Sequence, residues 1–310
     1  MKKLLDMLFG TEREEHRIGL LTGGILVFIT LVTSAMVFYI VAGQLGQEFE
    51  KGIVRTLNDR EKLFHAELDH GMAITQNAAM QPHLVNLMRA QEKDIQTLGM
   101  EIEGMLISNG LSGVSLQDAS GKVLATRGNF VPAPGMVAEL AHPYRATLLW
   151  KGQYFLHTRV DIRNGGQLLG LLDMEMALSD ITALVNDFQG LGETGEMVVC
   201  APRGSDRLRC FPSRHRQTPF ELPRMLNNKP LPLSLALDGK SGYRVTKDYR
   251  EAEVFDAYKP LGDTGLGMVV KIDTAELERP IRRHLLAGVG VLALLVILGT
   301  WLLRWQVGPL

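Results

Sequence analysis

The chain has 310 residues, of which 46% are hydrophobic and 22% charged, and its formal net charge is −1. A balance this close to neutral excludes a nucleic-acid binder held by bulk attraction to phosphates. No Gly-x-Ser-x-Gly, P-loop, His-Glu-x-x-His or dinucleotide fingerprint occurs, so no catalytic residue and no cofactor is assigned.

Two uncharged stretches frame the chain. The first runs from Ile18 to Gln47 and is densest from Ile18 to Val41. It is too long for a signal-peptide core and reads as an uncleaved anchor. The second, Leu285 to Leu303, holds about 19 residues, near the length that spans a bilayer as a helix. Both are expected to cross a membrane, over residues 18–43 and 285–303. Lys2, Lys3, Arg13 and Arg17 precede the first; Lys51, Arg55 and Arg60 follow it; Arg279, Arg282 and Arg283 precede the second. Counting positive flanks therefore leaves orientation nearly balanced. The two cysteines favour an oxidising compartment for the middle, which puts both termini in the cytoplasm, with residues 1–17 as a short charged tail.

Leu45, Phe49, Ile53, Leu57, Phe64, Leu68 and Met72 recur at intervals near three and four. They predict a stalk helix, weakened at Gly52 and Gly71 and stopped at Pro82. Shorter helices are predicted over His83–Gln91 and Lys93–Ser108, completing a helical lead-in over 44–96. The period then shifts to two. Strands are expected on either side of a turn at Asp118–Gly121, then over Ala146–Trp150, Gln153–Ile162 and Leu168–Met176, with Asn164-Gly165-Gly166 as a hairpin turn. The plan repeats: a helix Ser179–Phe188 with Ser179 as its cap, then strands Gly195–Ala201, Arg209–Pro212, Gly242–Lys247, Val254–Pro260 and Gly267–Asp273. Thr274 caps a helix that leads into the second apolar stretch, with Pro280 tolerated as a kink. The fold class is α+β, with tandem lobes over 97–178 and 179–275 and a last helix over 276–304.

Gly192-Glu-Thr-Gly-Glu-Met-Val-Val199, Asp248-Tyr-Arg-Glu-Ala-Glu-Val254, Ala257-Tyr-Lys-Pro-Leu261 and Thr264-Gly-Leu-Gly-Met-Val-Val-Lys-Ile-Asp273 together resemble the membrane-proximal half of double Cache sensor domains. Glu251 stands where that family has Gly, and Leu266 where it has Trp. Arg214-His215-Arg216 before a Pro-rich loop resembles the variant found on histidine kinases and on GGDEF/EAL cyclic-di-GMP proteins. The resemblance is specific over residues 190–275 and matches in layout over 45–280. It implies two PAS-like lobes outside the cytoplasm of a bacterium, in a two-pass inner-membrane receptor with a periplasmic centre. Residues 305–310, ending Gly308-Pro309-Leu310, look like the start of a HAMP linker.

Three groups of residues are candidates for a site. Cys200 and Cys210 sit on strands read as adjacent, which admits a disulfide, free thiols or a metal site with His215; two thiols and one imidazole fall short of four zinc ligands. Phe155, His157, Arg159 and Asp161 share one face of a strand, and Asp173 and Glu175 share a face of the next. With Tyr144 and Trp150 nearby, His157, Arg159 and Asp173 form a candidate pocket in the distal lobe. Arg159 would clamp a carboxylate and Asp173 an amine. The same alternation also describes the solvated face of an antiparallel sheet. The run Arg203, Asp206, Arg207, Arg209, Arg214, His215 and Arg216 suits an anion or protein partner, or a solvated hairpin tip.

The expected partners are a small periplasmic ligand, the membrane and a second copy of the chain along the stalk, with no nucleic acid. The expected function is ligand sensing, with the bound state passed through the last helix to a cyclic-di-GMP enzyme or histidine kinase that lies outside these residues. The alternative is a complete tethered subunit acting on a partner sensor.

Overall fold

The computed structural model describes the backbone of residues 2–92, 94–141, 145–187 and 191–307. Within the first and last helices it describes the side chains of residues 24–25, 27–40, 43–44, 48–79, 274–277, 279, 286–291, 293–295, 297–299 and 301. The chain divides into two units, Gly52–Thr274 and Met1–Lys51 with Ala275–Leu310.

The larger unit is threaded by the C-terminal part of helix α1 (Lys2–Ala79). Its apolar stripe is used within the chain: Ile53, Leu57, Phe64, Leu68 and Met72 are all buried. Each such side chain contributes roughly 1.5–3 kcal/mol when taken from water. From Ile53 to Met72 the expected dimerisation stripe is thus covered by this chain's own lobes, while Phe49 is exposed. Gly71 has a structural reason: a Cβ there would lie 2.6 Å from Leu156 Cδ2 and 2.8 Å from Met176 Sδ.

Pro82, which lacks the N–H a helix interior needs, opens α2 (Pro82–Arg89) as its first residue. Asp94 caps α3 (Ile95–Ser108) by accepting from Gln96 N at 3.0 Å. Six strands follow: β1 (Gly113–Asp118), β2 (Val123–Gly128), β3 (Met136–Glu139), β4 (Ala146–Trp150), β5 (Tyr154–Asn164) and β6 (Gln167–Ala177). They form an antiparallel sheet of order β2-β1-β6-β5-β4-β3. Gly165 and Gly166, both with positive φ (56° and 89°), make the tight β5–β6 turn that the Asn-Gly-Gly run predicts. The strand β3 falls where the sequence predicts no strand. Helices α2 and α3 cover one sheet face through Leu84, Leu98, Ile102, Val114, Leu116 and Met174.

The second lobe begins with α4 (Ser179–Asn186), whose cap is Leu178 rather than Ser179. Its strands are β7 (Glu196–Arg203), β8 (Arg207–Cys210), β9 (Phe220–Pro223), the short pair β10 (Met225–Leu226) and β11 (Lys229–Pro230), then β12 (Gly242–Lys247), β13 (Glu253–Pro260) and β14 (Gly267–Asp273). Helix α5 (Pro232–Leu237) follows β11. The sheet order is β12-β13-β14-β7-β8-β9. In each lobe the first strand pairs with the last, β1 with β6 and β7 with β14. Helix α1 reaches both sheets: Thr75 Oγ1 lies 2.6 Å from Thr158 Oγ1, and Lys259 Nζ lies 3.0 Å from both Asn58 Oδ1 and Glu61 Oε2.

The smaller unit holds the N-terminal part of α1 and nearly all of α6 (Thr274–Val307). Thr274 opens it, and its hydroxyl donates to Glu253 O at 3.1 Å. Among the described residues no helix is long and apolar enough to cross a membrane. This corrects the two-pass inner-membrane reading with a periplasmic centre. Within Ile18–Val41 the apolar run is interrupted by Thr22, Thr30, Thr33 and Ser34. In α6 the described residues include Gly288, Gly290 and Gly299 among the apolar ones. The HAMP-like residues Gly308, Pro309 and Leu310 lie outside the described residues.

Candidate functional site

On the distal sheet, alternation along β5 puts His157 and Arg159 on the face away from α2 and α3, and register brings them opposite Glu175 and Asp173 of β6. Arg159 donates Nε to Asp173 Oδ1 at 2.6 Å and an Nη to Oδ2 at 3.0 Å. Asp173 also accepts from Gln117 Nε2 at 2.8 Å. Glu175 accepts from Val131 N at 2.7 Å, and Phe130 packs 5.7 Å from the His157 ring. The segment after β2 therefore lies on this face and supplies its partners. The structure brings His157, Arg159 and Asp173 together, as a closed network in which Arg159 and Asp173 satisfy one another. Trp150 is elsewhere. It pairs with Tyr154, and its ring stands edge-on at 5.0 Å to that tyrosine on the opposite face. Tyr144 lies outside the described residues.

The proximal sheet carries a different arrangement, which sequence reasoning did not assign. Register places Glu196 of β7, Lys271 of β14, Asp256 of β13 and Arg244 of β12 in one row across four strands. Charges of alternating sign sit opposite one another, the favourable cross-strand order. Glu196, Lys271 and Asp256 are all buried. The Lys271 ammonium is 2.8 Å from Glu196 Oε1 and 2.7 Å from Asp248 Oδ2, and 3.9 Å above the Tyr249 ring. Tyr249 donates its hydroxyl to Glu196 Oε1 at 2.7 Å. Asp248 also holds the turn after β12, accepting from Arg250 N at 2.7 Å, and Arg250 reaches Asp273 at 2.5 Å.

Burial alone would raise the pKa of Glu196 and of Asp248. Lys271 with Tyr249 and Ser213 at Glu196, and Lys271 with Arg250 at Asp248, together outweigh it, so both lie below the usual carboxylate range. Asp256 differs. Burial pushes its carboxyl up to about 7, against the opposing pull of the Thr246 hydrogen bond, Lys271 and Arg244.

Above this row lies a cavity of about 270 Å³. Leu222, Leu231, Leu233 and Val269 give it apolar walls; Asp256, Lys271, Asp248 and Tyr249 give it polar ones. Arg216 also lines it, its guanidinium 4.8 Å from the Tyr249 ring centre and 5.1 Å from that of Phe220. A cleft of about 400 Å³ shares Leu226, Leu231, Thr246 and Lys247 with it. Helix α5 stands close over the sheet, where a Cβ on Gly267 would meet Ala236 and Leu237 at 3.1 Å. Cys200 and Cys210 are directly opposed on β7 and β8 and joined in a buried disulfide beneath the same apolar layer. His215 instead reaches Thr194 O at 3.0 Å. Arg207 and Arg203 of the basic run pair with Glu221, as a hairpin tip does.

One signal in the sequence marks this site. Lys271 is the only charge inside Gly267–Ile272, a strand otherwise free of polar side chains, and a lone charge there needs buried partners.

No protein-family model matches the chain, and no curated protein matches it. Among solved structures it is similar to the ligand-binding domain of the Campylobacter jejuni chemoreceptor Tlp3 in complex with 4-methylisoleucine. The identity is 14% and the TM-score 0.49, over 76% of this chain and 95% of that one. It is similar to the extracellular domain of a histidine kinase, mmHK1S-Z2, at 14% identity and TM-score 0.49, over 74% and 98%. It is also similar to the ligand-binding domain of the Pseudomonas aeruginosa amino-acid chemoreceptor PctC in complex with GABA, at 16% and 0.45, over 72% and 99%.

Proposed function

We propose that residues 52–274 are a small-molecule-sensing module of the Cache type, with the ligand taken in the cavity of the second lobe and its state relayed to an output through α6. The observation that carries this reading is the cavity of about 270 Å³ lying directly on a buried, alternating row of charges. An apolar pocket with a few convergent polar groups is the usual form of a ligand site.

The relay follows from connectivity. Lys271 lines the cavity and Asp273 ends the same strand, one residue before α6 begins. Arg250 joins Asp248 to Asp273, so the group that holds Lys271 is tied to the end of β14. A ligand that repositions the row prefers one packing of β14 over another, and only such differential affinity shifts a conformational balance.

The test is a thermal-shift screen of the full chain against small carboxylates, amines, purines and polyamines, run beside a Leu226→Trp variant. Leu226 is half-buried and lines the cavity, so the indole fills it without entering the sheet. A compound that raises Tm in the wild type and not in the variant supports the reading. Equal responses in both chains would sink it.

A further inference from the structure

The buried charges do not sum to zero. In this cluster Glu196, Asp248 and Asp256 are buried acids and Lys271 is the buried cation, with Arg244, Arg250 and Asp273 half-buried beside them and the exposed Arg216 at the cavity wall. Lys271 and Arg244 flank Asp256 across the sheet, but among the described residues none of these cations donates a hydrogen bond to it. Lys271 is divided between Glu196 and Asp248. Arg250 bridges Asp248 and Asp273. Arg244 donates to Pro230 O. Asp256 is 3% exposed, and one of its oxygens accepts from Thr246 Oγ1. Among the described residues its other oxygen has no hydrogen-bond partner, and the side chain lines the cavity. A carboxylate oxygen that faces a cavity is placed to accept a hydrogen bond from a ligand donor.

We propose that the cavity binds a compact primary amine, with its ammonium on the open carboxylate oxygen of Asp256 and its alkyl body against Leu222, Leu231, Leu233 and Val269. This rests on the reading of the cavity as the ligand site. An ammonium is a small point charge with three donors, which suits a single carboxylate in a confined space. The apolar walls select against a hydrated inorganic cation, which has no alkyl surface to bury.

The experiment compares butylammonium, butanoate and butanol, three bodies of one size that differ in charge. Binding to the full chain is read by calorimetry and by Tm, with the wild type, Asp256→Asn and Leu226→Trp. Butylammonium is expected to bind the wild type at least tenfold more tightly than either other compound, and Asp256→Asn to lose at least tenfold of that affinity while its own unliganded Tm shows it folded. Butanol binding as well as butylammonium, or an Asp256→Asn chain that keeps its affinity, overturns the amine assignment. Butanoate binding that Leu226→Trp removes overturns it too, but leaves the cavity reading standing. No binding by any of the three overturns the assignment, and the wider screen then decides the cavity.

Discussion

The two sheets set the same problem and solve it differently. Each buries acids on its loop-covered face: Asp173 and Glu175 in the first lobe, Glu196, Asp248 and Asp256 in the second. In the first, the balancing cation sits at the edge. The Arg159 side chain is 54% exposed, and the rest of the satisfaction comes from Gln117 and a backbone N–H of the covering segment. In the second, the cation is itself interior, with the Lys271 side chain only 4% exposed, and the covering loop stands off to leave a cavity. The difference teaches where binding capacity comes from. In the first lobe the acids are matched by their own cover, whereas in the second the buried Asp256 carboxylate lines an open volume.

The sharpest way to break this contrast is to remove each cation. Lys271→Met leaves Glu196 and Asp248 buried without their counter-charge and is expected to destabilise the chain by about 3–5 kcal/mol, read by urea unfolding. Arg159→Ala, whose partner pair is half in water, is expected to lose only about 1 kcal/mol and to leave any ligand response of the second lobe unchanged. Equal losses in the two variants would dissolve the distinction between an interior and a peripheral counter-ion.

Between these extremes lies the disulfide, present in the second lobe alone among the described residues. Replacing Cys200 and Cys210 by Ala is expected to lower stability by about 2–3 kcal/mol, measured against the oxidised wild type.

Asp256 gives a pH signature of its own. Its folded carboxyl is pushed up to about 7, above the unfolded value near 4. The folded state therefore holds a proton that the unfolded state has already released, and this group's contribution to stability falls as pH rises from about 4 to 7. Glu196 and Asp248 act in the opposite sense, adding stability above their unfolded values and losing it only as pH drops through their depressed ones. Asp256→Asn is thus expected to be about 1–2 kcal/mol more stable than the wild type at pH 8 and equal to it near pH 4. A gain that persisted unchanged at pH 4 would rule out the buried ionisation.

The smallest effect concerns Glu251, which holds a φ of +61° in the turn after Asp248. Glu251→Gly relieves a left-handed backbone without removing a buried contact and is expected to raise stability by about 0.5–1 kcal/mol, visible as a small rise in Tm.

Much of the scaffold was legible because it follows short-range rules. Gly242–Lys247, Gly267–Asp273 and Ala146–Trp150 alternate or run apolar between turn residues, and they are strands with those bounds. Glu251, noted as a departure at a usual glycine, does occupy a glycine-like conformation. The strands β3 and β9 and helix α5 were not legible. They are short, begin near prolines, and exist because the sheet beside them offers a partner, as when β9 pairs with β8. The site divides in the same way. Strand alternation put His157, Arg159 and Asp173 on one face but could not tell that they would bond to each other. The row through Glu196, Lys271, Asp256 and Arg244 joins four strands spread over more than seventy residues, and only the register assembles it.

The close approach at Gly71 has a mechanical consequence. There the helix touches Leu156 and Met176 with no side chain of its own between, a turn away Thr75 bonds Thr158, and further back along the same helix Asn58 and Glu61 grip Lys259. One spine thus touches two plates at separate points. A shift of either sheet along this helix would have to break or remake one of these sets of contacts.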